Sequence, residues 1–290
     1  MSKRILITGS GGFVGNNLKS YFKDKYELLT PRSFELNLTD KKSVEVYFQK
    51  NNIDFIIHCA STGGARGVDD AADTIENNMA MVDNILEAKR KDVRVILFGS
   101  GAMYGKDRNL HKVKENEIGT YEPKDLYGKS KLLIAKRIKS RLDVLMLNIF
   151  ACYGYGELSS RFPSYAVNQV LLGEDIIINQ NVVFDYLFIE DLQRIVEYFI
   201  ENIPDCNIMN VTPNESTTLL DIANIVRGFS SAQSGIGVVS NKMNNEYTGD
   251  NSLLLKNYPS LQFTPMEYGL KKLYEYNIRC VGGQCEFIRK

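Results

Sequence analysis

The chain has 290 residues, 44% of them apolar and 24% charged, which suits a globular protein with room for one large domain or a large one carrying a smaller one. Lysine plus arginine and aspartate plus glutamate each total 35, so the formal net charge is zero and no global field is available to hold nucleic acid or an anionic membrane. No apolar run is long enough to span a bilayer, and the five cysteines (Cys59, Cys152, Cys206, Cys280, Cys285) are an odd number lying mostly in apolar runs, which argues against a disulfide framework and for a cytoplasmic setting.

The opening MSKRILITGSGGFVG sets basic residues ahead of Ile5-Leu6-Ile7, a stretch too short for a secretory core, which reads as a buried strand. From there strand and helix patterns alternate. Strands are expected over 3–8, 26–30, 53–60, 93–99 and 143–150, each a short apolar run of the kind covered on both faces. Helices are expected near 12–23, 40–50, 70–91 and 125–141. This order predicts a Rossmann-like, doubly wound α/β domain with a parallel sheet over residues 1–155.

Beyond 155 the rhythm loosens. Strands at 176–178, 182–186 and 207–211 mix with helices near 161–172, 188–203 and 217–229. Residues 156–290 are assigned mainly to a smaller, discontinuous mixed α/β substrate lobe, with strands from about 181–211 returning to the first sheet. Pro213-Asn214 marks a turn before a helix that Thr217 or Thr218 would cap. After Arg279 no strong pattern is visible. Cys280 and Cys285 bracket Val-Gly-Gly-Gln without a histidine or further cysteine pair nearby, so no metal is expected.

The first strand runs into Thr8-Gly9-Ser10-Gly11-Gly12-Phe13-Val14-Gly15 and then a helix. A dinucleotide site needs such a triplet: Gly9 for the tight turn, Gly12 for approach of a pyrophosphate to the backbone, Gly15 for close helix–strand packing. The phosphates then meet free N–H groups and the helix dipole. The second strand ends near Thr30-Pro31-Arg32-Ser33 with no acid until Glu35. An acid there would accept from an adenosine ribose; Arg32 with Ser33 instead suits a 2′-phosphate, so NADP is favoured, with NAD possible and Arg32 as a plain loop residue the alternative.

Tyr127-Gly128-Lys129-Ser130-Lys131 opens a helix, with Tyr127 and Lys131 four apart on one face. A nearby ammonium is expected to lower the phenol pKa from about 10 and let it exchange a proton with a carbonyl or carbinol oxygen. Upstream, the buried run Val95 to Gly99 delivers Ser100 at a strand's C-terminal end, the edge where open α/β sheets place their sites.

With these pieces in order the chain resembles the extended short-chain dehydrogenase/reductases, the nucleotide-sugar epimerase/dehydratase/reductase group. The matching segments are Thr8–Gly15, Asn37-Leu38-Thr39-Asp40 after a β3-like segment, Ile56 to Ser61, Asn78 to Glu87, Ser100–Gly105, Tyr127–Lys131, Phe150 to Gly154, Phe184 to Leu192 and Asn210 to Ala223. Within the group it is similar to the GDP-fucose synthases through Glu35-Leu36-Asn37-Leu38, Thr62-Gly63-Gly64 and Asn77-Asn78-Met79. The resemblance implies a triad of Ser100, Tyr127 and Lys131: Ser100 polarising a carbonyl, Tyr127 moving the proton, Lys131 tuning it and holding the nicotinamide ribose. It implies cofactor contacts at Gly9, Gly12, Phe13, Val14, Gly15, Arg32, Asn37, Leu38, Ala60, Ser61, Asn78, Tyr127 and Lys131. Ala102 would face substrate. A homodimer through the helices near 70–91 and 125–141 is implied too, and their apolar positions (Met79, Val82, Ile85, Leu86, Leu132, Leu133, Ile134, Ile138) exceed one core-facing stripe.

Departures narrow the expectation. Dehydratases of the group carry an Asp-Glu pair where this chain has Gly101-Ala102, and the GDP-fucose synthases epimerise with a cysteine at the position of Ala102 and a histidine in the substrate lobe. The two histidines here are His58, read as a strand-end residue and not a base, and His111, in a polar loop. An arginine that often meets substrate diphosphate is replaced by Phe184; Arg161 or Arg66 could supply that charge, or be ordinary surface residues. The expected activity is NADP(H)-dependent reduction of a 4-keto nucleotide sugar. The alternatives are a 4-epimerase with tightly bound NAD and a non-catalytic NADP(H) sensor.

Overall fold

The computed structural model describes residues 2–65, 67–230 and 234–281. In chain order the first half holds β1 (Arg4–Thr8), α1 (Phe13–Phe22), β2 (Glu27–Leu29), α2 (Lys41–Lys50), β3 (Phe55–His58), α3 (Thr74–Ala88), β4 (Arg94–Ser100), a 3-10 turn (Gly101–Tyr104), β5 (Leu110–Val113), α4 (Leu126–Ile138) and β6 (Val144–Ile149). There follow β7 (Ala151–Tyr153), α5 (Phe162–Leu172), β8 (Ile176–Gln180), β9 (Val183–Phe184), β10 (Tyr186–Phe188), α6 (Ile189–Glu201), β11 (Ile208–Val211), β12 (Thr217–Thr218), α7 (Leu219–Arg227), β13 (Ile236–Ser240), β14 (Tyr247–Gly249), α8 (Ser252–Asn257) and α9 (Met266–Val281). No helix among the described residues is long and apolar enough to cross a membrane.

The central sheet has six parallel strands in the order β11-β6-β4-β3-β1-β2. Its strands are mostly apolar because alternate residues enter two different cores. Ile5, Ile7, Phe55, Ile57, Ile96, Leu145 and Leu147 join Leu18 and Phe22 of α1 and Leu192 and Val196 of α6 on one face. Leu6, Ile56, Val95, Leu97, Val144 and Met146 join Val44 of α2, Ile85 of α3 and Leu132 of α4 on the other. The chain steps outward from β1 to β2 and then crosses back to β3 on the opposite side of β1. That reversal opens a crevice at the C-terminal ends of β1 and β3.

Two expectations are corrected. The β3-like segment before Asn37 is not a strand: between β2 and α2 only Leu36 and Leu38 are buried, and Asn37 folds back to accept from Thr39 N at 3.1 Å while Asp40 caps α2 by accepting from Lys42 N. Side-chain turns take the backbone there, so the ladder does not form. Of the strands expected to return to the sheet, β11 does; β9 joins a separate four-stranded sheet, β12-β9-β14-β5, and β10 pairs with β7. β5, which contains His111, is a strand that the sequence pattern does not show, and α9 runs two residues past Arg279 to Val281. Thr218 caps α7 in a reciprocal box with Asp221. The Cys280 side chain and Cys285 lie outside the described residues.

Candidate active site at the sheet edge

Gly9, at the end of β1, has a φ of +65°, and a Cβ built there would lie 2.5 Å from Ala60 N, so this turn sits against the exit of β3. Gly12 N donates to Gly9 O at 2.8 Å, and a Cβ on Gly15 would lie 2.4 Å from that same oxygen. The helix these glycines admit has Gly12 as its N-cap, no side-chain cap and no acid in its first turn. Its N–H groups are therefore left for an outside anion. Phe13 and Val14 form its first turn, and Ala60 and Ser61 follow β3 beside it.

Arg32 is exposed, and its guanidinium lies 3.1 Å from a Cβ built on Gly11, over the glycine loop. Glu35, the nearest acid, accepts from Arg32 N at 2.7 Å. Asn37 is exposed, whereas Leu38 is buried with its carbonyl held by Asn84 Nδ2 at 2.9 Å. A pyrophosphate with an adenosine 2′-phosphate fits this set: bare helix N–H groups, a glycine cradle and one cation at its rim.

On the other flank of the crevice, β4 ends at Ser100, whose Oγ accepts from Ala102 N at 3.2 Å and so caps the 3-10 turn. Ala102 is buried, and Gly128 of α4 closes on its carbonyl, leaving 2.7 Å for any Cβ. Asp125 caps α4 by accepting from Gly128 N at 2.9 Å. Asp70 accepts from Tyr127 N at 2.8 Å and from Gly64 N at 2.7 Å, tying the loop after β3 to the start of α4. Gly64 then lies flat on the Tyr127 ring, with 3.0 Å left for a Cβ. Asn78 spends its amide on this loop: it accepts from Thr62 N at 2.9 Å and donates to Thr62 O and Ser130 Oγ, both at 3.0 Å.

Ser100 lies near enough to the Tyr127 phenol to favour its ionised form, and Lys131 Nζ lies 5.3 Å from the Tyr127 ring centroid. The expected lowering of the phenol by this lysine is corrected. Lys131 is 5% exposed and donates to Phe98 O at 3.0 Å, and burial draws its pKa down to about 8. Burial raises Tyr127 above the usual phenol range, against the opposing pull of the Ser100 hydroxyl and of Arg161.

Arg161, exposed at the start of α5, reaches Gly64 O at 3.5 Å and acts electrostatically on Tyr127, so it belongs to the crevice rather than to remote surface. Arg66 lies outside the described residues. His58 is buried with Nδ1 2.7 Å from Thr8 Oγ1, and burial, with Lys131 nearby, pulls its pKa to about 3; it is a neutral strut. His111 pairs with Glu246 at 2.8 Å on the exposed side of β5.

Sequence reasoning missed two groups here. Glu157, after β7, accepts from Ser164 Oγ at 2.8 Å, and burial pushes its pKa to about 8 despite Ser164 and Arg161. Tyr247 of β14 sets its hydroxyl 2.7 Å from a Cβ built on Gly101, the residue after Ser100. No motif flags either: each is a common residue on a short irregular element.

Residues 5–212 match the model of the NAD dependent epimerase/dehydratase family. GDP-L-colitose synthase of Yersinia pseudotuberculosis is 39% identical over 109 residues, a stretch covering 36% of this chain and 35% of that protein. GDP-L-fucose synthase of Escherichia coli (strain K12) is 33% identical over 132 residues, 42% of this chain and 41% of its own. A GDP-mannoheptose C4 reductase from Campylobacter jejuni, solved with NADP bound, aligns over 96% of this chain and 98% of its own with a TM-score of 0.81 and 16% identity, a likeness of fold.

Proposed function

The chain belongs to the NAD dependent epimerase/dehydratase family, and from that premise we propose that it is an NADP(H)-dependent reductase of 4-keto nucleotide sugars. The observation that carries this reading is the meeting of Ser100, Tyr127 and Lys131 at the end of β4 with glycine and alanine, not a carboxylate pair, at 101 and 102. NADPH, when bound, supplies the hydride to the carbonyl carbon. The uncapped α1 N-terminus would hold its pyrophosphate and Arg32 its 2′-phosphate.

The protein's own groups manage the oxygen. Tyr127 keeps its proton at neutral pH because burial raises its pKa, so it can give that proton to the developing alkoxide. Ser100 donates to the same oxygen from a fixed position. Lys131, close by and partly deprotonated near its pKa of about 8, can resupply charge or a proton to that end of the site. Arg161 supports a substrate diphosphate at the mouth, the role that Phe184 cannot fill. The nucleotide sugars named for the relatives agree with this class.

Incubation with a 4-keto-6-deoxy nucleotide sugar and NADPH tests the reading. One equivalent of NADPH should be oxidised per hydroxyl sugar formed, and Tyr127→Phe should lower the rate by about 10²–10⁴-fold. In deuterium oxide the carbons flanking C4 should stay unlabelled beyond background exchange. Enzyme-dependent label there would overturn a single-step reduction and implicate Glu157, the carboxyl that titrates near 8. Turnover of a UDP-hexose with no NADPH consumed would favour the epimerase, and tight NADPH binding without any turnover the sensor.

A further inference from the structure

The N–H groups in the first turn of α4 have no partner within the helix. Two carboxylates take two of them. Asp125, the N-cap, accepts from Gly128 N at 2.9 Å. The second comes from 57 residues upstream: Asp70 Oδ2 accepts from Tyr127 N at 2.8 Å. Both acids sit at the positive end of the helix dipole, where an anion is favoured. The backbone of the catalytic tyrosine is therefore held by a group that belongs to the loop after β3 and not to its own helix.

The other oxygen of Asp70 holds that loop. Oδ1 accepts from Gly64 N at 2.7 Å. Gly63 and Gly64 have φ of +81° and +75°, two left-handed residues in a row that carry the chain around the carboxylate. A Cβ built on Gly63 would lie 2.7 Å from Asp70 Oδ1, and one on Gly64 would lie 3.0 Å from three atoms of the Tyr127 ring. One carboxylate thus fixes the tyrosine twice, through its own N–H and through the backbone laid against its ring.

We propose that Asp70 is a positioning residue for the reduction: by bridging Gly64 N and Tyr127 N it fixes both the first turn of α4 and the backbone seated on the Tyr127 ring, and so sets where the phenol meets the substrate oxygen. This rests on the reductase reading, since it gives Tyr127 a proton to deliver. It goes beyond that reading in assigning part of the catalytic geometry to a carboxylate outside the set of Ser100, Tyr127 and Lys131. Among the described residues, the titratable groups that face the phenol are Arg161 at the start of α5, Asp125 at the start of α4, Lys131 one turn along it, Tyr247 of β14 and Asp70 itself. Removing the Asp70 charge and loosening the backbone that buries the ring both favour the phenolate.

Asp70→Asn keeps the shape but turns an amide N–H toward one of the two donors. We expect kcat to fall about tenfold or more, the worth of a hydrogen bond to a charged group, with KM for NADPH changed less than about threefold. The alkaline limb of the kcat profile should move to lower pH, because Tyr127 must keep its proton to act and now loses it sooner. Gly64→Ala, which presses a methyl group on the ring from the other end of the bridge, should lower kcat too. Together the two changes should cost less than the product of their separate factors. Two readouts on Asp70→Asn need no substrate. Ultraviolet difference titration, taken against Tyr127→Phe, should show the Tyr127 midpoint moving down. Amide exchange followed by nuclear magnetic resonance should speed up at Gly64 and Tyr127 while β3 and β4 stay protected. An unmoved titration, a rise in KM with kcat intact, or losses that multiply in the double variant would overturn the proposal. A downward shift with faster exchange at both amides, in a protein that reduces no 4-keto sugar, would uphold it and defeat only the reductase reading.

Discussion

Arg32 is the residue on which cofactor choice turns. It stands over Gly11 with its guanidinium free of any carboxylate partner among the described residues, since Glu35 is engaged by the Arg32 main chain instead. Arg32→Glu should weaken NADPH binding by about 10–100-fold, the worth of a hydrogen bond to a charged group, and leave NADH little changed. Equal losses for both nucleotides, measured by fluorescence titration, would place Arg32 outside the adenosine pocket. Residues of this kind were legible in the sequence because each sits in a fixed spacing: the glycine triplet, Arg32 after the second strand, Ser100 at a strand end, Tyr127 four before Lys131. Their electrostatics were not. Whether a lysine lowers its neighbouring phenol depends on where the ammonium points, and Phe98 O takes it. Tyr247 had no spacing to betray it, being one of 16 tyrosines placed only by a long-range strand pairing.

At the scale of elements, α1 depends on contact between backbones. Gly15 lies so close to Gly9 O that a methyl group would meet fixed main-chain atoms at 2.4–2.9 Å. Gly15→Ala should therefore cost about 1–3 kcal/mol in denaturant unfolding and weaken NADPH binding as α1 tilts off its loop. A variant as stable and as tightly binding as the parent would show that the helix has freer seating than these distances allow. Most of the central strands were readable because both faces are buried and their apolar runs are long. β5 and β13 were not, for the opposite reason: β5 alternates buried ends with a polar His111-Lys112 centre, and β13 leaves Val239 72% exposed. α9 buries Leu270 and Leu273 beneath a largely charged and aromatic surface, so its helical period was faint.

For the whole molecule, the apolar surplus on α3 and α4 is largely spent inside one chain. Val82, Ile85, Leu86, Leu132, Ile134 and Ile138 are buried there, Met79 is partly covered, and Leu133 remains 40% exposed. A homodimer through these helices, as the family resemblance implies, would therefore be centred on Leu133 and the polar rows beside it. Light scattering at micromolar concentration should give twice the chain mass of 32.8 kDa, and Leu133→Glu should shift it toward the monomer. A parent protein of single-chain mass would end that proposal.

The pairing of β5 with β14 has a consequence for how the chain reaches its native state. Leu110 and Val113 are fully sequestered against a strand that emerges from the ribosome only after residue 247, and Lys112 reaches forward to a buried Asp185. The strands β1, β2, β3, β4 and β6 can pair within the first half, but the β5 edge is completed only when the last quarter of the chain has been made. In the interval before β14 arrives, the apolar ends of β5 lack their strand partner, and a chain paused there should be more open to aggregation or capture by a chaperone than the complete one.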